Sequence, residues 1–402
     1  MVQKHNHIAG ILLIAASACL LAFTGQAIAK NARPDGARPN NTLSADARLL
    51  PGAQNEAPLR MAIARVTHGH AAWIFGSKRS DKILVVGIYE PDQELARQFR
   101  EQYNLSEELF FSDLDKMLEA VKPEAVAAFG SIYEHLEVVE ACAPRGIHIM
   151  VEKPLATNVK HALRMAALAR ENNVHLLTDY ETSWYPTVEK TRQLIADSNY
   201  VGNIKKVVVH AGHQGPQEIG VGPKFLEWLT DPVLNGGGAL TDFGCYGANL
   251  MTFLMQGTAP VSVTAVTRQY KPARYPKVDD DATIIVNYSD AQCIIQASWN
   301  WPFNRKDMAV YGESGYIITR NATEMRIKNR SAPERAIRVT SADVPVYENP
   351  FVYLADVVRE KIAPGENGLY SLKTNITVVR ILEAARESAK TGKTIYLNRE
   401  KN

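Results

Sequence analysis

A lysine at a strand end and three polar residues at helical spacing are where this chain is best equipped for chemistry. Lys153 follows the apolar run 147–151 and Glu152, and Pro154 comes directly after it. Proline fixes the backbone and cannot donate a ladder hydrogen bond, so a strand is expected to break off at the lysine. In an open α/β sheet, ligands bind at that carboxyl edge. Further along, the run Gly236-Gly237-Gly238 precedes Asp242, Tyr246 and Asn249. Residues three and four apart share a helix face, so these polar groups can point into one site. A lysine, a carboxylate and a phenol make a proton-handling set. The phenol moves the proton, the ammonium lowers its pKa, and the carboxylate holds the ammonium charged and oriented. Taken singly, each has a plainer reading: a solvated loop lysine, a helix-start aspartate and a core tyrosine.

The elements around these residues fall into two patterns. From Leu59 to about Thr178, β-rich runs alternate with helical stretches, which predicts βαβ units on a parallel sheet. Strands are expected at 61–66, 83–89, 125–129, 147–151 and 175–178, with helices at 94–102, 114–121, 134–143 and 160–171. Alternating runs then appear at 205–210, 261–267, 282–288, 293–299 and 308–311, which predict a largely antiparallel sheet with one covered face. Helices over 240–255 and 374–391 would pack on it.

A dinucleotide turn needs glycines after the first strand. The segment Ile63-Ala64-Arg65-Val66-Thr67-His68-Gly69-His70 breaks that fingerprint, since Gly69 takes only the last position. Arg65, His68 and the amides near Gly69 are the groups left to meet a phosphate, and the alternative is a purely structural turn. Glu90 ends the second strand about twenty residues on, where an acid bonds the ribose hydroxyls and repels a 2′-phosphate. That favours NAD, with NADP the second choice.

The strings Glu152-Lys153-Pro154 and Gly236 to Asn249 resemble the glucose–fructose oxidoreductase, inositol dehydrogenase and rhizopine-catabolism (Gfo/Idh/MocA) family. Its pattern is E-K-P, then G-G-G-x-L-x-D-x-G-x-H-x-x-D. Lys153 and Asp242 match, Tyr246 replaces the histidine and Asn249 the last aspartate, as in the branch resembling glucose–fructose oxidoreductase. The resemblance implies an α/β fold: an N-terminal doubly wound Rossmann domain and a C-terminal α+β domain with a large, mostly antiparallel open sheet. It also implies NAD, held tightly, and hydride transfer at a sugar hydroxyl or carbonyl, with Lys153 and Tyr246 in the proton-handling roles. Glu152 and Lys153 are expected at the cofactor. Where the family has T-P-N-x-x-H, this chain has Ser131 and His135, and only the histidine matches. Relatives also imply a homodimer or homotetramer. Two alternatives share these residues: an NAD-dependent glycosidase or lyase with no net redox, and a non-catalytic sugar-binding protein.

Four residues are candidates for the substrate pocket: Trp184 and Tyr185 as stacking platforms, with His213 and Asn249 as polar groups. No metal is expected, because His210 and His213 lack further ligands. At the N-terminus, Lys4, the apolar run 8–23 and Ala27-Ile28-Ala29 predict a signal peptide over 1–29 and hence export to a periplasmic or secreted location. That peptide contains no arginine, which conflicts with folded export of a cofactor-loaded protein. Residues 30–57 are expected as a tether, 58–178 as the cofactor domain and 179–402 as the substrate domain. A formal charge of +2 on 402 residues leaves no electrostatic footprint for nucleic acid, and nothing beyond the signal peptide suggests a membrane. Cys142, Cys245 and Cys293 are expected as buried small residues.

Overall fold

Apolar runs buried on both faces and separated by amphipathic helices give a parallel sheet in the first half of the molecule. The structure is a computed structural model, and it describes residues 57–397 together with the strand 47–49. The expected signal peptide and nearly all of the tether lie outside the described residues. After β1 (Ala47–Leu49), elements alternate: β2 (Leu59–Ala64), α1 (Ala71–Phe75), β3 (Ile83–Tyr89), α2 (Gln93–Tyr103), β4 (Phe110–Phe111), α3 (Leu114–Val121), β5 (Ala125–Ala128), α4 (His135–Cys142), β6 (His148–Glu152), α5 (Val159–Glu171) and β7 (Leu176–Asp179). The sheet order is β4-β3-β2-β5-β6-β7, and every pair in it is parallel. The order reverses at β2, so the crevice lies over the carboxyl ends of β2 and β5. Asp92 and Asp113 accept backbone N–H groups at the starts of α2 and α3, which sets where those helices begin.

The second half contains α6 (Pro186–Ala196), β8 (Ile204–Gly212), α7 (Pro223–Leu229), α8 (Ala239–Asp242) and α9 (Gly244–Leu254). It continues with β9 (Ser262–Arg268), β10 (Asp281–Asn287), β11 (Gln292–Ser298), β12 (Arg305–Gly312), β13 (Gly315–Thr319), β14 (Glu324–Asn329) and β15 (Ala332–Arg338). Last come α10 (Pro350–Val358), β16 (Ile362–Pro364), α11 (Leu372–Thr391) and β17 (Ile395–Tyr396). The nine-stranded sheet runs β15-β14-β13-β12-β8-β11-β10-β9-β17, antiparallel except for β11 beside β8. Its inward positions, such as Val207, Ile284, Ile295 and Val310, are fully buried. Cys142, Cys245 and Cys293 are buried and unbridged, as expected.

The glycine run positions the chemistry. The Asp279 side chain accepts the Gly238 N–H at 3.0 Å and the Leu240 N–H at 2.7 Å, capping the start of α8. A Cβ on Gly238 would collide with the Asp279 carbonyl oxygen. Gly238→Ala is therefore expected to cost about 3 kcal/mol, read as a lower urea midpoint, through overpacking at the cap. On α9, a Cβ at Gly247 would come within 2.6 Å of Ile295, so glycine lets this helix lie directly on β11. The single helix expected over 240–255 is in fact broken at Phe243.

Candidate active site

Three separate elements deliver Lys153, Asp242 and Tyr246 to one place. Lys153 follows β6, and its peptide bond to Pro154 is cis. Its Nζ donates to Asp242 Oδ1 at 2.5 Å and to the Asp242 carbonyl at 3.2 Å. Trp299 Nε1 donates to the other carboxylate oxygen at 2.9 Å, so Asp242 is held from both sides. The ammonium lies 5.3 Å from the Tyr246 ring centroid and 5.7 Å from that of Phe243. Because the helix breaks at Phe243, Asp242 and Tyr246 do not share a continuous face, yet both still reach the lysine.

Burial is the largest influence on the Lys153 charge and opposes it. The charge and hydrogen bond of Asp242, with smaller help from Cys245 and Glu152, outweigh burial and hold the ammonium above its ordinary range. Burial likewise works against the Asp242 carboxylate, but Lys153, His213 and Trp299 bring it below its usual value. Tyr246 corrects an expectation. Burial pushes its phenol well above the ordinary value, with Glu181 adding to the effect. Burial thus keeps Tyr246 as a neutral phenol.

A second ammonium, absent from the sequence reading, faces the same ring. Lys306 Nζ lies 5.0 Å from the Tyr246 centroid and pairs with Glu181, whose other oxygen accepts the Tyr185 hydroxyl at 2.5 Å. Lys306 falls on the same strand parity as the buried Met308 and Val310, and a cation on an inward parity was the available signal. His213 packs edge-on to Phe243 at 4.9 Å, and burial takes its imidazole down to about 4. Tyr185 and His213 thus sit around the set.

Other expected site residues lie elsewhere. Trp184 is core: it donates to Asp179 Oδ1 at 2.8 Å and stacks on Tyr370 at 4.8 Å. Asn249 is completely buried and donates to the Leu369 carbonyl at 2.8 Å, tying α9 to the start of α11. Asn249→Ala is expected to lower stability by about 1–2 kcal/mol in urea unfolding while leaving kcat and KM unchanged. His210 bonds Asp307 at 2.9 Å on the outward parity of β8, away from His213. Buried His135 bonds the Leu155 carbonyl at 3.1 Å and so supports the loop after Lys153.

The first turn is tied down internally. The Val66 N–H donates to Glu90 at 3.0 Å, the His68 N–H to the Phe129 carbonyl at 2.9 Å, and the His70 N–H to His68 Nδ1 at 3.1 Å. Glu90 gives its second oxygen to the Asp92 N–H at 3.1 Å, so both its oxygens serve the backbone rather than standing open for a ribose. Arg65, at φ 68°, pairs with Glu134 at 2.8 Å, and Glu134 also accepts from Ser131 Oγ. Arg65 and Ser131 therefore join the first and third turns. A Cβ on Gly69 would meet nothing within 4 Å, so space does not demand a glycine there. Burial pushes His68 down to about 3, and its ring rests 4.5 Å from Phe225 on α7.

A cavity of about 620 Å³ nevertheless opens along this edge, lined by Val66, Thr67, Gly69, Asp92, Leu95 and Phe225 among others. Its place beside the ends of β2 and β3 fits the adenosine half of a dinucleotide, although the Asp92 carboxylate on its wall is engaged by the Glu94 and Leu95 N–H groups and by Lys224. Lys153 stands at the far end of the same edge, where the reactive half would lie.

Residues 64–180 match the oxidoreductase family with an NAD-binding Rossmann fold, and residues 188–318 match the GFO/IDH/MocA C-terminal domain. Together the matches cover more than half of the chain. The chain belongs to the Gfo/Idh/MocA family. Its relatives include trans-1,2-dihydrobenzene-1,2-diol dehydrogenases. The Xenopus tropicalis enzyme is 29% identical over 235 residues, 58% of this chain and 66% of that one. The Xenopus laevis enzyme is 26% identical over 319 residues, 75% of this chain and 89% of that one. In fold the chain is similar to aldose-aldose oxidoreductase from Caulobacter crescentus, at TM-score 0.70 and 22% identity over 85% of this chain and all of that one. An inositol dehydrogenase homolog from Azotobacter vinelandii, complexed with NAD+, gives TM-score 0.72 and 18% identity over 85% and 97%. As a Gfo/Idh/MocA protein, the chain is an NAD(P)-dependent oxidoreductase acting on CH–OH groups, with NAD as its cofactor.

One expectation falls at this point. Export to a periplasmic or secreted location is overturned by the relatives, which are dehydrogenases of frogs and mammals. It rested on 1–29, outside the described residues and upstream of both family matches. A short apolar run after one lysine is a generic pattern and cannot outweigh that.

Proposed function

We propose that this Gfo/Idh/MocA enzyme interconverts a secondary alcohol and a ketone, or a cyclic hemiacetal and a lactone, on a sugar or a sugar-like cyclic diol, with Tyr246 passing the proton. The observation that carries this reading is the buried Lys153–Asp242 pair beneath the Tyr246 ring at the carboxyl edge of the cofactor sheet. NAD supplies or accepts the hydride. Tyr246, as a neutral phenol, donates to the carbonyl oxygen in the reductive direction. Lys153 is held charged by Asp242 and steadies the negative charge that develops on that oxygen. Lys306, near the Tyr246 ring, together with Glu181 and Tyr185, adds donors and acceptors that suit vicinal hydroxyls.

We assign residues 58–178 to the cofactor domain and 179–402 to the substrate domain. The outward face of the nine-stranded sheet exposes Val266 and Tyr311, which supports pairing of two copies there as a homodimer or within a homotetramer. The function is tested by incubating the protein with NAD or NADP and a panel of aldoses, inositols and trans-diols, following reduced nicotinamide. Turnover of at least one polyol with NAD is expected. Failure of the whole panel with both cofactors would remove the proposal. Isolating the sugar product separates this net oxidation from a redox-neutral glycosidase or lyase cycle, which returns the cofactor unchanged.

A further inference from the structure

The Glu152 carboxylate is a buried charge whose nearest lysine is already engaged. Lys153, next in the chain, is spent on Asp242. Glu152 is 1% exposed, and its Oε2 has no hydrogen-bond partner among the described residues. Asp179 faces it on the neighbouring strand in register, and Asp179 Oδ2 is equally without a partner. Two buried carboxylates side by side are costly without a compensating positive charge.

Two imidazoles converge on the same carboxylate. His70 Nδ1 lies 2.9 Å from Glu152 Oε1, and His68 Nε2 lies 3.9 Å from Oε2. One donor atom from each of His68, His70 and Glu152 falls within 4.8 Å of the other two. Two nitrogens and one carboxylate oxygen at such spacing suit a divalent transition metal, with further positions left for water or an anionic oxygen. The ring of Trp73 stacks on His70 at 3.6 Å and fixes its plane, as the surroundings of a metal ligand commonly do. The turn also needs positive charge for another reason. Its amides at Val66, His68 and His70 are already bonded within the protein, so they offer little to an anion in the crevice.

We propose that His68, His70 and Glu152 form a binding site for a divalent transition-metal cation, with Zn2+ the ion that the donor set fits best. The sequence did not suggest it, because the histidines lie two apart on a turn and the carboxylate comes from a strand 82 residues beyond His70. Ligation through His68 Nε2 moves that ring's proton to Nδ1 and so releases the His70 amide. Binding is thus coupled to a small rearrangement of the turn beside Trp73.

The test is Zn2+ titration of the full-length, chelator-stripped protein by calorimetry, with bound metal measured by elemental analysis and no nucleotide or sugar present. Wild type is expected to take up one Zn2+ per chain. His70→Gln and Glu152→Gln should each weaken binding by about 100-fold or more, since loss even of outer-shell partners costs 10–100-fold. His210→Ala, at the outward Asp307 pair, should leave it unchanged. His70 is partly exposed, so His70→Gln should remain folded if Glu152→Gln does not. Wild type that binds no Zn2+ would overturn the proposal, as would undiminished one-to-one binding in a folded His70→Gln variant. Neither result bears on the polyol reaction, which is read without added metal.

Discussion

Lys153→Met is expected to lower kcat by about 10²–10⁴-fold and to destabilise the fold by roughly 3–5 kcal/mol at neutral pH. The two losses have separate causes. The first comes from removing the cation next to Tyr246, 5.3 Å from its ring. The second comes from leaving Asp242 buried without its partner, only 4% exposed. A double variant separates them. Lys153→Met with Asp242→Asn leaves neither member of this pair charged, so its urea midpoint should return most of the way to wild type while activity stays low. The pH dependence follows from the sign of the shift. In wild type, Lys153 and its neighbours bring the Asp242 carboxyl below its ordinary value, so this stabilisation is present at neutral pH and fades as pH falls. In Lys153→Met, burial dominates and raises the Asp242 pKa, so the variant is penalised most at high pH. The gap between the two proteins should therefore close toward acid pH, read by urea unfolding across a pH series.

Tyr246→Phe is expected to show the opposite balance, a large kinetic effect with little change in stability. The ring stays packed between Phe243 and Tyr180, so stability should move by about 1 kcal/mol at most. The proton donor is gone, and kcat should fall by about 10²–10⁴-fold with NAD affinity preserved. Burial, reinforced by Glu181, lifts the wild-type phenol well above its ordinary value. The wild-type reductive rate should then stay level through about pH 10, where an ordinary tyrosine would already be losing its proton. A fall in rate centred nearer pH 8 would point to a different proton donor.

Much of this architecture was legible in the sequence. The runs at Ile83–Tyr89 and Leu114–Val121 formed the strand and helix that their sequence predicted: the strand buries its C-terminal end at Ile88 and Tyr89, and the helix buries the face of Leu114, Met117 and Leu118. Strands β13 to β15 were not foreseen. β14 and β15 carry Arg326, Lys328, Arg335 and Arg338 at or near the sheet edge, and those charges blur the alternation, while β13 is a short run of five residues. At the site, Lys153 and Asp242 could be paired from their motifs, whereas the break at Phe243 and the turn of Asn249 into the core depend on packing against β11 and α11. Glu90 shows the same limit. Its position at the strand end was readable, but the commitment of both oxygens to backbone N–H groups was not. Lys306 and Glu181 come from segments 125 residues apart, one on β12 and the other in the turn after β7, and their meeting depends on tertiary packing.

The most direct test of proton handling by Tyr246 is single-turnover hydride transfer. A polyol that the panel shows to react would be deuterated at its oxidised carbon and mixed with NAD-loaded wild type and with Tyr246→Phe. The expected result is deuterium on the reduced nicotinamide in wild type, and transfer at least about 100-fold slower in the variant at equal NAD occupancy. Equal transfer rates in the two proteins would contradict the assignment and move the proton to another group in the site.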